Sequence, residues 1–279
     1  MRTDPPKVKW EEMFPEELYD AIRRDRVCFM AYGLAEPHGP YNAIGLDWLK
    51  AQALVECAAQ EHGGVVAPPF AWHITERPEY HDNGRGKGWL CDAGVKQALA
   101  SSIPMDLFYR TVLYTIRAFD ARGFQAAILV TGHYGGPEKI MRRLCEYYRR
   151  RSGSPIQLTA LADWECIDYE GYGGDHAGTV ETSQLMHLRP GLTDLSRTHV
   201  PPELGTNYAG FRPGDPNADP SEELGRNIVE SQVRRLGEIR DELLAAYEPV
   251  PDWKAPSLND AEAIWHRFHT ITQQYRDMG

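Results

Sequence analysis

The chain has 279 residues, 42% hydrophobic and 25% charged, with a formal net charge of −10 at pH 7. That balance supplies ample material for a globular core. The negative charge argues against nucleic acid and anionic membranes as partners, since both attract basic surfaces. No apolar run approaches the ~20 residues of a membrane span, and the N-terminus lacks the apolar stretch of a signal peptide.

Residues 1–16 read as an irregular lead-in, with a short helix from Pro15 to Arg24 that has proline at its start. Val27–Gly33 reads as a buried strand. Leu46–Gln60 reads as a helix with apolar residues 46, 49, 53, 54 and 57 on one face. Gly64–Phe70 is a second strand ended by prolines, and 71–92 a glycine-rich loop or lid. Met105–Arg122 has helical spacing, closed by Gly123. Phe124–Val130 is an apolar strand, followed by the turn Thr131–Gly136 and a helix from Pro137 to about Arg151. Ile156–Ala162 is a further strand, 163–178 a loop and Thr179–Leu188 a helix. Residues 189–220 are proline-rich and irregular, Ser221–Tyr247 is a long helix capped by Ser221, and 248–279 carries one more short helix.

Apolar strands alternating with helices predict a three-layer α/β/α sandwich with a mainly parallel sheet, expected here as a single domain over 1–279. Ligands of such sheets bind beyond the carboxyl ends of the strands. Cys28, Cys57, Cys91, Cys145 and Cys166 are odd in number and form no C-x-x-C pair. They read as reduced thiols buried as small apolar side chains, in a cytoplasmic protein.

Three segments carry chemistry. Glu36-Pro-His38-Gly-Pro-Tyr-Asn-Ala-Ile-Gly-Leu-Asp47 gathers two carboxylates and an imidazole after a strand, a donor set suited to a divalent metal. Glu36 and His38, two apart in an extended segment, would face the same way. The bland alternatives are a polar turn for that pair and a helix cap for Asp47. Thr131-Gly-His133-Tyr-Gly-Gly136 sets a histidine between glycines, directly between strand and helix. This backbone suits close approach to a ligand, and its spacing matches no phosphate-binding fingerprint. Asp175-His176-Ala-Gly-Thr-Val-Glu181-Thr-Ser places His176 in a loop and Glu181 at a helix start, where Glu181 could instead complement the helix dipole.

In this order, the E-P-H-G-P…G-x-D, G-H-Y-G-G and H-A-G-x-x-E-T-S segments resemble the creatininase (creatinine amidohydrolase) family over about residues 27–190, with 221–279 as a helical extension. The resemblance implies a dinuclear metal site holding two divalent ions (Zn, Mn or Fe), with Glu36, His38, Asp47 and His133 as ligands and Asp47 bridging. Gly135 stands where creatininase carries a glutamate ligand, so the fifth ligand falls to Glu181, as in family members with glycine there. The same departure weakens creatinine as the substrate, and Thr131 and Pro137, standing where the family pattern has asparagines, alter the surrounding loop as well.

The activity this implies is hydrolysis of a C–N amide bond in a small cyclic amide or formamide by water activated between two metals. His176 acts as general acid, and a backbone N–H of the Gly135–Gly136 turn helps hold the oxyanion. Tyr134, Gly135, Trp164, Asp175 and His73 are expected at the substrate, with Glu76 and His81 in the lid. Competing readings are cleavage of another activated bond in the same fold (a terminal peptide bond, or a C–C bond beside a ketone) and a non-catalytic metal or small-molecule binding protein. A homo-oligomer, often a hexamer in the family, is implied as well.

Overall fold

The computed structural model describes residues 7–74, 100–169, 172–197 and 219–277, with the side chains of 271–277 left aside. The elements in chain order are α1 (Pro15–Asp25), β1 (Val27–Tyr32), α2 (Leu46–His62), β2 (Val65–Val66), α3 (Met105–Ala121), β3 (Ala126–Thr131), α4 (Pro137–Ser152), β4 (Gln157–Ala162), α5 (Thr179–Leu188), α6 (Glu222–Ala245) and α7 (Leu258–Asp277). The strands form one parallel sheet in the order β2-β1-β3-β4.

Strand alternation sorts the core into two faces. Cys28, Met30, Tyr32, Ala127, Leu129, Leu158 and Ala160 pack with residues of α3, α4 and α7. Val27, Phe29, Ala31, Ala126, Ile128, Val130 and Leu161 pack with α2 and α6. This is the expected α/β/α sandwich. Burying one such branched or aromatic side chain contributes about 1.5–3 kcal/mol, so the sheet is a firm platform for whatever leaves its edge.

The departures from the sequence reading have local causes. β2 is two residues long because Pro68 and Pro69 follow it closely and cannot donate to a ladder. The last helix is not short: α7 runs 20 residues, and buried Ala261, Ile264, Trp265 and Phe268 give it an apolar stripe against the α3–α4 face. Helix α2 is buried well beyond one stripe, including Asp47, Lys50 and Gln52, because the sheet lies on one side and α5 and α6 on the other. Ser221 caps α6 as expected, its Oγ accepting from the Leu224 N–H at 3.1 Å. Most of the expected lid, 75–92, lies outside the described residues, as does 198–218 of the proline-rich stretch. Among the described residues no helix is long and apolar enough to cross a membrane.

Register places Tyr32, Thr131 and Ala162 side by side at the carboxyl edge of β1, β3 and β4. The three loops that leave this edge begin next to one another.

Candidate metal centre

The first loop carries Glu36 and His38 into the start of α2. It is tied down by the Glu36 N–H on the Ile44 carbonyl (2.8 Å), by Tyr41 Oη donating to Ala177 O (2.9 Å) and by Asn42 Nδ2 donating to Thr182 Oγ1 (2.9 Å). The last two bonds bring the His176–Glu181 segment against it. Asp47 is the second residue of α2 and makes no capping bond, so the cap role does not account for it. The start of α2 sits hard against the sheet edge. A Cβ on Gly33 would lie 2.4 Å from Trp48 N, and one on Gly132 would lie 2.1 Å from Asp47 O.

Asp47 is 1% exposed, and its two oxygens face different partners. Oδ1 lies 2.9 Å from His38 Nε2, which is 3.6 Å from Glu181 Oε2. Oδ2 lies 3.2 Å from His133 Nδ1, which is 3.0 Å from Glu36 Oε1. Two triads result, Glu36/Asp47/His133 and His38/Asp47/Glu181, each with donor atoms within 4.8 Å of one another and with Asp47 in common. Glu36 and His38 thus fall chiefly into different triads, although they also meet His176 in a third grouping. The loop bends at Gly39 (φ +69°) and is not extended as a whole.

The donor chemistry fits cations. The His38 ring is oriented by its Nδ1 at 2.9 Å from the Glu36 carbonyl, a common arrangement for a ligating imidazole. With that nitrogen donating, Nε2 faces a carboxylate oxygen 2.9 Å away, a contact that either a bound cation or a proton on Nε2 relieves. His133 Nε2 is buried without a hydrogen-bond partner, and Asp47 Oδ2, equally buried, has only the 3.2 Å approach of His133 Nδ1. Burial alone would lower the His38 pKa, yet the charges of Asp47, Glu181 and Glu36 outweigh it and hold it up at about 9. His133 is raised well above its ordinary value in the same way, against burial, by Glu36 and Asp47. Without metal the cluster draws in protons instead. Among the described residues, Glu36, Asp47, Asp163 and Glu181 are buried against one buried ammonium, Lys50, so positive charge is short even when both imidazoles are protonated.

His176 lies at the mouth, its side chain 47% exposed, with Nδ1 4.0 Å from Glu36 Oε1 and its ring 4.6 Å from that of His38. It is aimed by a turn through Ala177, a non-glycine residue at φ +51°. That strained conformation is held because the Ala177 N–H donates to Glu181 Oε2 (2.8 Å) and its carbonyl accepts from Tyr41. Asp175 turns inward, its oxygens accepting from the Val180 and Glu181 N–H groups at 2.8 and 3.1 Å, so it caps α5. Tyr134 Oη donates to the Asp175 carbonyl (2.5 Å) and accepts from its N–H (3.0 Å), bracing the β3 turn against this loop. Trp164, 38% exposed, meets the Tyr134 ring edge to face at 6.4 Å. Gly135 and Gly136 have φ of +112° and +154°, and the Gly136 N–H donates to Glu138 Oε2 (3.0 Å).

His73 is fully buried behind His133, with ring centroids 5.2 Å apart. Its Nδ1 lies 2.9 Å from the Ile74 amide nitrogen and 3.1 Å from the Ile74 carbonyl, and its Nε2 lies 3.3 Å from Thr131 Oγ1. Thr131 Oγ1 accepts from the His133 N–H (3.2 Å) and donates to the His133 carbonyl (2.6 Å). Burial, then the His133 charge, keep His73 well below its ordinary pKa and therefore neutral. Glu76 and His81 lie outside the described residues.

Sequence reasoning passed over Lys50 and Asp163. Burial would lower the Lys50 pKa, but Asp163, Glu181 and Asp47 together hold it above the usual lysine range. Asp163 is raised by burial to about 6, with Lys50 opposing and Glu181 adding to the rise. A lysine three residues past Asp47 reads as solvent-facing, and no sequence signal marks it as buried.

The family model for creatininase, described as creatinine amidohydrolase, matches residues 11–239. A creatinine amidohydrolase of Pseudomonas putida is 24% identical over 246 residues, covering 78% of this chain and 90% of its own. Among solved structures, a creatininase variant complexed with creatine superposes with a TM-score of 0.65 at 23% identity, covering 85% of this chain and 99% of that one. A zinc–zinc form of a creatininase variant gives a TM-score of 0.64 at 23% identity, covering 87% and 99%.

Proposed function

The chain belongs to the creatininase family, and on that premise we propose a metal-dependent amidohydrolase that cleaves a C–N amide bond in a small cyclic amide or formamide-type substrate. The observation that carries this reading is Asp47, whose two buried oxygens serve two separate triads. Glu36, Asp47 and His133 would hold one divalent ion, and His38, Asp47 and Glu181 the other. Zinc, manganese and iron all suit such a mixed carboxylate and imidazole set. Bound there, divalent ions supply Lewis acidity, polarising a carbonyl and bringing the deprotonation of water close to neutral pH.

The chain's own groups complete the chemistry. His176, half-exposed beside Glu36, delivers a proton to the departing nitrogen, a task to which imidazole is suited at neutral pH. The Gly136 N–H is committed to Glu138, so Gly135 is the amide of this turn that serves the developing oxyanion. Trp164 and the Tyr134 ring form an aromatic wall against which a planar substrate lies; the Tyr134 hydroxyl is already engaged with Asp175. Asp175 and His73 act from behind, the first through α5 and the second through Thr131 and the His133 turn. Gly135, Thr131 and Pro137 depart from the creatininase pattern, which favours an amide other than creatinine. Assembly into a homo-oligomer and a cytoplasmic setting belong to the same reading, and sizing chromatography tests the former.

The test is metal analysis of protein purified without added metal, beside a His133→Ala variant. A screen of cyclic ureides, formamides, short peptides and cyclic diketones is run in parallel. About two ions per wild-type chain, lost together with hydrolysis in the variant, is the expected result. A variant that keeps both its ions and its activity would overturn the assignment.

A further inference from the structure

Lys50 lies one helical turn beyond Asp47 on α2 and is 1% exposed. Its Nζ is 2.7 Å from Glu181 Oε1, 3.1 Å from Asp163 Oδ2 and 4.8 Å from the centroid of the Tyr134 ring. An ammonium enclosed by two carboxylates and a ring face is a fixed charge, and here it holds Glu181 by one oxygen only.

We propose that Lys50 is a positioning residue: it takes Glu181 Oε1, so that Oε2 alone is presented to His38 and Asp47, while Asp163 anchors Lys50 from the far side. The proposal rests on Glu181 being a metal ligand, as read above. Its physical basis is the looseness of the last torsion of a glutamate, which is broad and roughly two-fold when nothing fixes it. Oε2 accepts the Ala177 N–H at 2.8 Å and lies 3.6 Å from His38 Nε2. Lys50 is the second point that stops the carboxylate from rotating about that bond. With Gly135 contributing no carboxylate, Glu181 is the acidic group of this triad besides the shared Asp47, so its orientation decides whether the triad is formed. Helix α2 thereby serves the centre twice, supplying the shared ligand at Asp47 and the support for a ligand of α5 at Lys50. Groups that orient a ligand in this way typically change metal affinity 10–100-fold when removed.

The experiment titrates metal-free protein with Zn²⁺ and, separately, Co²⁺, reading bound equivalents by equilibrium dialysis and the visible absorption of bound Co²⁺. Three chains are compared: wild type, Lys50→Met and the double variant Lys50→Met/Asp163→Asn. Wild type is expected to bind two ions. Lys50→Met is expected to bind the first with little change and the second about 10–100-fold more weakly, with an altered Co²⁺ spectrum for that second equivalent. The double variant removes the Asp163 charge together with the ammonium that compensates it, so no carboxylate is stranded at position 163 and the test stands even if Lys50→Met fails to fold. If Lys50 positions Glu181, the double variant stays deficient in the second ion. If Lys50 merely neutralises Asp163, the double variant regains wild-type binding and the proposal is overturned. A wild-type chain that takes up no ion overturns the ligand reading itself, a result distinct from two ions bound equally well in all three chains.

Discussion

Replacing Gly132 with alanine probes how tightly the centre is tied to the packing of the sheet edge. The φ of Gly132 lies outside the left-handed region, so alanine meets no backbone penalty there, only a lack of space. The added Cβ would stand 2.1 Å from Asp47 O, 2.8 Å from Asp47 C and 3.2 Å from Asp47 Cα. Ordinary contact begins at 3.4 Å, so α2 or the His133 turn must yield by about 1 Å, and both are held by backbone hydrogen bonds. Overpacking of this kind costs about 1–3 kcal/mol. With an unfolding entropy of about 2.1 cal/mol/K per residue, that corresponds to a Tm lower by roughly 2–5 °C for a chain of this length. The functional loss should be comparable in free energy and easier to read, because a displacement of about 1 Å in a catalytic constellation can cost on the order of 10²-fold in rate. The measurements are thermal unfolding, bound metal and turnover, with Gly173→Ala as control, since nothing lies within 4 Å of a Cβ there. The control should stay within about 0.5 kcal/mol of wild type. Wild-type melting and metal binding in Gly132→Ala would refute the claim that the close approach of Gly132 to Asp47 sets the position of the shared ligand.

Two further outcomes are expected. His176→Ala should lower kcat by about 10²–10⁴-fold while bound metal stays at the wild-type level, because this side chain sits at the mouth of the site; loss of metal in parallel would make it a ligand instead. Burial holds the Asp120 carboxyl above its ordinary pKa, although the Tyr148 hydroxyl donates to it at 2.6 Å and opposes the shift. A carboxyl whose folded pKa exceeds its unfolded one of ~3.9 weakens the fold as pH rises above the unfolded value, and has no such effect below it. Asp120→Asn should therefore gain stability relative to wild type between pH 4 and pH 7, as read by urea unfolding at both; a relative loss over that interval would show the sign to be wrong.

Much of this molecule is written locally. The apolar runs of β1, β3 and β4 and the helical spacing of α3 and α5 depend on neighbours in the chain, and the structure reproduces their bounds to within two residues. The residue types around Glu36, Asp47, His133 and Glu181 also suit divalent-metal chemistry, although each segment alone reads as well as a turn, a cap or a helix-dipole partner, and only their combination and order point to a metal. Tertiary structure decided how those groups are shared. Pairing β1 directly with β3 brings Glu36 and Asp47 to His133, while the bonds from Tyr41 and Asn42 to the start of α5 bring Glu181 to His38. His73 reads in the sequence as part of a lid, yet it lies behind His133, because only the fold sets Ser102 beside it as a bridge partner. Lys50 shows the same division most clearly. A lysine on a helix reads as solvated, and its burial follows from a helix enclosed by sheet on one side and by α5 and α6 on the other. Periodicity reports which residues avoid water on average; which charges meet each other out of water is settled only when distant segments pack.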